Sequence, residues 1–181
     1  VTFGLPRDSR MTLDQGKSRS TADYLSIEAS VKYATIAAAI ARTLWLHRMG
    51  YADGGKASPT RLAIRAEYWK SEKEINAASH FVGGKFGVRV LGGAVAAGAA
   101  LVVARRMDAR AELFIEQFIK GTDLKDGDPI LAVRNRFMSG IRMSTVEKMR
   151  ILLRAFEAWI AGASLKRVYK KSQRVKQAGS K

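Results

Sequence analysis

The chain has 181 residues, of which 47% are hydrophobic. This length supports a domain with a substantial core, and the composition excludes a wholly disordered protein. Lys and Arg number 32 against 16 Asp and Glu, and the resulting net charge of +16 favours an anionic partner. Nucleic acid is the commonest such partner, while an anionic membrane surface and a basic protein without a polyanionic partner are the alternatives. The absence of cysteine excludes disulfides, thiolate catalysis and cysteine-based zinc sites.

The first elements of the chain are a lead-in segment and a short helix. Residues 1–20 lack helical periodicity and contain no apolar segment of the secretory type, so we expect an extended lead-in. Ser20 or Thr21 is a candidate cap for the first helix, with Asp23 in its first turn.

Two longer helices are predicted next. Residues 31–49 place apolar side chains at three- and four-residue spacing, which is typical of an amphipathic helix. Ser58 followed by Pro59 predicts an N-cap and first-turn proline for a helix over 60–81, with a break near Lys70–Ser71.

A small-residue segment lies in the middle of the chain. Gly83, Gly84 and Gly87 interrupt the helical pattern, and residues 90–104 then form an uncharged stretch rich in Ala and Gly. That stretch is shorter than the ~20 residues a spanning helix needs. It predicts a buried central helix, although a helix making contacts between subunits is an alternative.

Capping signals delimit three further helices. Asp108 is a candidate cap for a helix that stops at Gly121. Pro129 suits the first turn of the next helix, and Ser144 with Glu147 forms a capping box for the last.

The chain as a whole predicts an all-α protein, because no segment alternates apolar and polar residues as a strand does. We expect an irregular bundle of roughly seven or eight helices. The predicted organisation is a lead-in over 1–20, a helical domain over 21–162 and a basic C-terminal helix or arm over 163–181.

Four short motifs along the chain occur in the same order in a known family. They are carried by Asp14, Gly16, Arg19, Ser20 and Asp23, by the helix "IAAAIARTLWLHRMG", by Gly127, Asp128, Pro129, Ile130 and Arg134, and by Trp159, Gly162 and Lys166. Over roughly residues 10–169 the chain resembles the α-helical C-terminal half of phage and prophage proteins with an N-terminal ParB/sulfiredoxin-like domain. The resemblance implies a DNA-transaction context. The ParB-like domain itself is absent or lies upstream of Val1, so nucleotide binding and nuclease action are not carried over to any residue.

Motifs for catalysis or metal binding are weak in this sequence. His47 and His80 have no second histidine or carboxylate three or four residues away on the same face. The run "GGKFGVRVLGG" lacks the ending of a P-loop, so a tight turn is favoured over a phosphate site with Lys85 and Arg89. We predict no catalytic residue, no metal and no cofactor, and an enzyme built from scattered acidic residues is the weakest alternative.

Positive charge is concentrated near the carboxyl end. Residues 134–181 contain thirteen Lys or Arg and two Glu, and therefore eleven of the sixteen net charges. A solvated helix face usually mixes signs, so this segregation predicts phosphate contacts. The predicted nucleic-acid-binding residues are Arg134, Arg136, Arg142, Lys148, Arg150, Arg154, Lys166, Arg167, Lys170, Lys171, Arg174 and Lys176.

A second group of cations is a candidate for base contacts. Residues 58–80 are a helix-turn-helix candidate from which Arg61, Arg65 and Lys73 could project, with ordinary packing of two helices as the alternative.

These observations together predict a non-catalytic DNA-binding protein of phage or mobile-element type. We expect it to be cytoplasmic, or nucleoid-associated in a bacterium, without membrane association and able to form a homo-oligomer. The alternatives are an RNA-binding protein and a nucleoid- or virion-type assembly protein that binds nucleic acid through self-association.

Overall fold

The fold is known from a computed structural model, which describes residues 20–51, 58–85 and 93–165. All regular structure in these three ranges is helical, and the predicted all-α bundle of seven or eight helices is confirmed. The helices described are α1 (Thr21–Glu28), α2 (Ala34–Arg48), α3 (Arg61–Lys70), α4 (Glu72–Lys85), α5 (Ala94–Ala104), α6 (Ala111–Lys120), α7 (Pro129–Met138) and α8 (Thr145–Ile160).

Side-chain caps set the start of three helices where the sequence predicts them. Ser20 begins α1 in a capping box with Asp23, and Ser144 begins α8 in a capping box with Glu147. Asp128 caps α7 by accepting a hydrogen bond from the Ile130 N–H at 2.7 Å. Each cap satisfies an N–H group that has no partner within its helix.

The cap of α3 differs from the prediction. Thr60, not Ser58, occupies the N-cap position, with an extended backbone and an Oγ1 that accepts the Ala63 N–H at 3.2 Å. Pro59 therefore precedes the cap. The break between α3 and α4 falls at Ser71, within the predicted Lys70–Ser71 pair.

The cap of α6 also differs from the prediction, because Asp108 forms a local turn. Its carboxylate accepts the Arg110 backbone N–H at 2.8 Å and two guanidinium N–H groups at 2.9 and 2.8 Å. These hydrogen bonds, together with the charge of Arg110, lower the pKa of Asp108 to about 2. As a result α6 begins later, at Ala111, and it ends at Gly121 as predicted.

Gly83 and Gly84 do not interrupt the helical pattern, since α4 continues through both to Lys85. A Cβ at position 83 would lie 2.8 Å from the ring of Tyr33, so glycine lets the start of α2 approach α4 closely.

The centre of the fold is α5, which packs against α2, α4 and α8. Its residues from Ala96 to Val102 are all buried, which confirms the predicted central helix. These buried residues face the protein's own core, and contacts between subunits, the alternative for this helix, stay a prediction. Among the described helices, none is both long and apolar enough to cross a membrane.

The apolar pattern of α3 is only partly directed inward. Ile64 and Tyr68 are buried, whereas Leu62 is 75% exposed and Trp69 is 46% exposed. Glu67 lies on the same side of α3 as Ile64 and Tyr68, where it is buried and accepts from Arg48 of α2 at 2.7 Å. Leu62 and Trp69 lie on the opposite side of the helix, which faces solvent.

Packing around α5 predicts different effects of two glycine-to-alanine changes. Gly98→Ala should be less stable than Gly84→Ala by about 1–3 kcal/mol, the usual cost of overpacking a core. Both changes favour helix formation, but only a Cβ at position 98 meets the core, 2.5 Å from Ile40 Cδ1, whereas nothing lies within 4 Å at position 84. Chemical denaturation of the two variants measures the difference. Equal stabilities would show that α5 can shift away from α2 without cost.

Candidate nucleic-acid interface

The described part of the predicted phosphate-binding set lies on one helical hairpin. We call α7, α8 and the turn between them the basic hairpin. The helices pack against each other, and α8 also packs on the central α5. Its cations are Arg134 and Arg136 on α7, Arg142 in the turn, and Lys148, Arg150 and Arg154 on α8.

The ends of the basic hairpin are defined by contacts on both sides. The Leu165 N–H, just beyond α8, donates to the carbonyl of Gly127, just before α7, at 2.8 Å. The helices are therefore antiparallel, and the chain leaves α8 at the end opposite to the turn. Because α8 has 16 residues, these two ends are separated by about 24 Å.

Arg134 contacts the end of α6 and stabilises the fold. Its Nη1–H groups donate to the carbonyls of Phe118 and Ile119 in the last turn of α6, the latter at 3.0 Å. Helix C-termini carry partial negative charge, which a guanidinium stabilises. The same guanidinium lies against Gly121, whose φ of +66° ends α6 in the left-handed conformation. Arg134 is therefore oriented toward α6, and its predicted contact with phosphate stays a prediction.

Arg150 connects α8 to the end of α2. Its Nε–H donates to Nδ1 of His47 at 3.5 Å, and its Nη2–H donates to the carbonyl of Tyr51 at 3.3 Å. Burial, and secondarily the charge of Arg150, lowers the pKa of His47. The imidazole is consequently neutral near pH 7 and accepts from the guanidinium. Since both partners of Arg150 are uncharged, its positive charge is not neutralised by them.

The other cations of the basic hairpin differ in exposure. Arg142 and Arg154 are exposed to solvent. Lys148 is partly buried, with Nζ 5.4 Å from the centre of the Phe137 ring. Arg136 is also partly buried, and its Nε has no hydrogen-bond partner within the described ranges. Arg142 and Arg154 are therefore the most solvent-exposed cations of the basic hairpin.

Two glutamates share α8 with these cations. Glu147 accepts the Ser144 N–H at 2.9 Å in the capping box, and Glu157 is exposed. The outer face of α8 thus contains both signs, with Arg150, Arg154 and Glu157 at positions i, i+4 and i+7. The described residues from Arg134 onward hold six cations and two carboxylates, and the larger excess lies in the tail.

Several carboxylates elsewhere in the fold have cation partners outside the basic hairpin. These ion pairs are Arg48–Glu67 at 2.7 Å, Arg110–Asp108 at 2.8 Å, Lys120–Glu116 at 3.1 Å and Arg105–Glu112. They involve α2, α3, α6 and the segment between α5 and α6. The known partners of Arg134 and Arg150, in contrast, are neutral.

The tail residues of the predicted set, Lys166, Arg167, Lys170, Lys171, Arg174 and Lys176, lie outside the described residues. The same holds for the glycine-rich run from position 86 to 92.

The candidate base-contacting residues do not share one environment. Arg61 and Lys73 are exposed, whereas Arg65 is partly buried with its guanidinium 4.1 Å from the ring centre of Tyr24. The single residue Ser71 separates α3 from α4, whereas a helix-turn-helix uses a turn of about three or four residues. Base contacts by these residues stay a prediction, and the basic hairpin is the better-defined candidate surface.

One cavity of about 320 Å³ adjoins the basic hairpin, between α2 and the start of α8. Arg42 lines it together with Ser144 and Thr145, while the Glu147 carboxylate already occupies the α8 N-terminus. In the described ranges no group of three or more His, Asp or Glu side chains is placed to hold a metal ion.

The contact between His47 and Arg150 predicts a pH dependence of stability. Above about pH 6.5, the ordinary pKa of histidine, His47 is neutral in both states and stability is complete. As the pH falls toward the lowered folded-state pKa, the unfolded chain binds the proton more readily, so the free energy of unfolding decreases. Thermal unfolding of the wild type and of His47→Gln at pH 7.5 and 5.5 should show a smaller decrease for the variant. An equal decrease in the wild type and the variant would show that the contact between His47 and Arg150 does not cause this pH dependence.

The contact between Arg134 and Gly121 predicts that Gly121→Ala is more destabilising than Gly140→Ala. Both glycines have positive φ, at +66° and +70°, so each alanine costs about 1–2 kcal/mol in backbone strain. Only at position 121 would the new Cβ overlap a guanidinium, while nothing lies within 4 Å at position 140. Urea denaturation distinguishes the two. A Gly121→Ala variant no less stable than Gly140→Ala would show that Arg134 is not needed at the end of α6.

Comparison with protein-family models, with curated proteins and with solved structures found no match to this chain. The resemblance to phage proteins with a ParB-like domain therefore stays a prediction.

Proposed function

We propose that this protein binds DNA without catalysis, using the basic hairpin and the basic tail to contact the phosphate backbone. The observation that carries this proposal is the segregation of charge: eleven of sixteen net positive charges lie in residues 134–181. Counterion release makes such an excess favourable on any sequence of DNA, so affinity should be tolerant of sequence and sensitive to salt.

Local contacts support the same surface. Arg142 and Arg154 are exposed, and the known partners of Arg134 and Arg150 are carbonyl oxygens and a neutral imidazole. Contacts of this kind orient a guanidinium without cancelling its charge. A phosphate approaching α8 therefore meets Arg150, which is held by the fold, and the exposed Arg154, with Glu147 and Glu157 reducing the total charge.

The dimensions of the basic hairpin suit a duplex. Its two ends are about 24 Å apart, which corresponds to roughly seven base pairs at a rise of ~3.4 Å. The tail begins at one end and could extend the contact further along the backbone. DNA is preferred over RNA because the resemblance to phage proteins implies DNA transactions, and a cytoplasmic or nucleoid location belongs to the same proposal.

Salt dependence of binding tests the surface. Each phosphate that a cation neutralises contributes about 0.9 to the slope of log K against log salt. For a duplex of about 20 base pairs, this slope should therefore fall by about two in the Arg142→Gln/Arg154→Gln double variant. Replacing the six predicted tail cations by Gln should reduce the slope by about five for the same reason. Fluorescence anisotropy at several salt concentrations gives the slopes.

The matched control removes two charges from other surfaces. Lys32 precedes α2 and Lys120 ends α6, and both are exposed. The Lys32→Gln/Lys120→Gln double variant should therefore keep a slope near that of the wild type. Equal decreases in the two double variants would show that only net charge matters, and a wild-type protein that ignores DNA at low salt would remove the proposal.

A further inference from the structure

The turn that joins α7 to α8 exposes apolar side chains at the end of the basic hairpin. Residues 138–142 are five consecutive exposed positions. Met138 is 59% exposed and Ile141 is 50% exposed, only three residues apart. The predicted phosphate contacts leave these two side chains without a role.

The fold supports this turn on both sides. Phe137 packs edge-on against Phe118, with ring centres 5.4 Å apart. The Ser139 hydroxyl donates to the Arg136 carbonyl at 2.8 Å, and Gly140 takes a positive φ that reverses the chain. The Ser144 capping box then begins α8. Met138, the last residue of α7, and Ile141, in the turn that follows, thus lie between two anchored helices.

The charges around the turn indicate an anionic partner. Arg142 lies within it, Arg136 lies shortly before Met138 in the last turn of α7, and Lys148 is on the first turns of α8 beside Phe137. Apolar side chains surrounded by cations occur both in proteins that insert into lipid and in proteins that insert between DNA base pairs.

The size of the apolar surface favours DNA over a membrane. A single myristoyl chain gives only marginal membrane binding, and Met138 and Ile141 together offer about eight heavy atoms, fewer than that chain. One or two apolar side chains are, in contrast, the usual size of a wedge that unstacks a DNA base step and kinks the duplex.

We propose that Met138 and Ile141 form such a wedge, inserting between base pairs while Arg136, Arg142 and Lys148 face the flanking phosphates. This inference rests on the proposed DNA binding. It adds that the protein bends the duplex and prefers sites where base pairs unstack easily. Flexible pyrimidine–purine steps and mismatches are sites of that kind.

The test compares bending and affinity separately. A duplex of about 30 base pairs carries a donor and an acceptor dye at its ends, so bending raises energy transfer while anisotropy reports binding. The wild type should raise energy transfer and should bind a duplex with a central mismatch about tenfold tighter than the matched one. Met138→Ser/Ile141→Ser should keep the wild-type salt slope and lose both properties.

A control variant makes the same kind of change elsewhere. Met107 is 45% exposed and Leu62 is 75% exposed, and neither belongs to the basic hairpin. Met107→Ser/Leu62→Ser should bend DNA as the wild type does, and circular dichroism checks that both double variants are folded.

The outcomes separate the two proposals. A wild type that does not bind either duplex overturns the proposed function and this inference with it. A wild type that binds without raising energy transfer, or a Met138→Ser/Ile141→Ser variant that still bends DNA, overturns the wedge alone. Wild-type binding to phosphatidylserine vesicles that the Met138→Ser/Ile141→Ser variant loses would assign the turn to a membrane and also overturn the wedge.

Discussion

Close packing around the small-residue helix α5 is the constraint on which the rest of the structure depends. The helix has 11 residues, none charged and none larger than leucine, and eight of them are buried. Small side chains allow α2, α4 and α8 to approach a common axis, as the position of Gly98 beside Ile40 shows. Because this centre accepts no charge, the many cations of the chain must lie on the outer faces of the surrounding helices.

Arginine has two uses on the basic hairpin. Arg134 and Arg150 connect it to α6 and α2 through carbonyl and imidazole acceptors, so they stabilise the fold while retaining positive charge. Arg142 and Arg154 are exposed at the surface. Under the proposed function Arg134 and Arg150 contribute positive electrostatic potential from fixed positions, while Arg142 and Arg154 contact phosphate directly. The positive charge of Arg150 on α8 also helps to keep His47, near the end of α2, neutral.

The proposed mode of binding combines two physical effects, one that depends mainly on salt and one that depends on the DNA sequence. Phosphate contacts along about 24 Å of α8, extended by the tail, give affinity that depends on salt and little on sequence. A wedge at the turn gives selectivity for easily unstacked sites, because the cost of opening a base step depends on the step. The two effects act at different positions on the hairpin, the wedge at one end and the tail at the other.

The sequence by itself determined the fold class, the positions of most helices and the positive net charge of the protein. Local signals act over three or four residues, which is why the Ser20 cap, the Ser144 capping box, the start at Pro129 and the stop at Gly121 were predictable. Where two local interactions compete, prediction failed: Thr60 caps in place of Ser58, and Asp108 binds Arg110.

Only the tertiary structure decided which side chains contact each other and which are exposed to solvent. Arg150 meets His47 across 103 residues, and no pattern in the sequence marks that pair. Leu62 and Trp69 are exposed on the side of α3 opposite to Glu67, which contacts Arg48 on another helix. Met138 and Ile141 are exposed where α7 ends and the turn to α8 begins. The physical reason is the same in each case: periodicity defines the faces of a helix, but contacts with distant helices determine which face is buried.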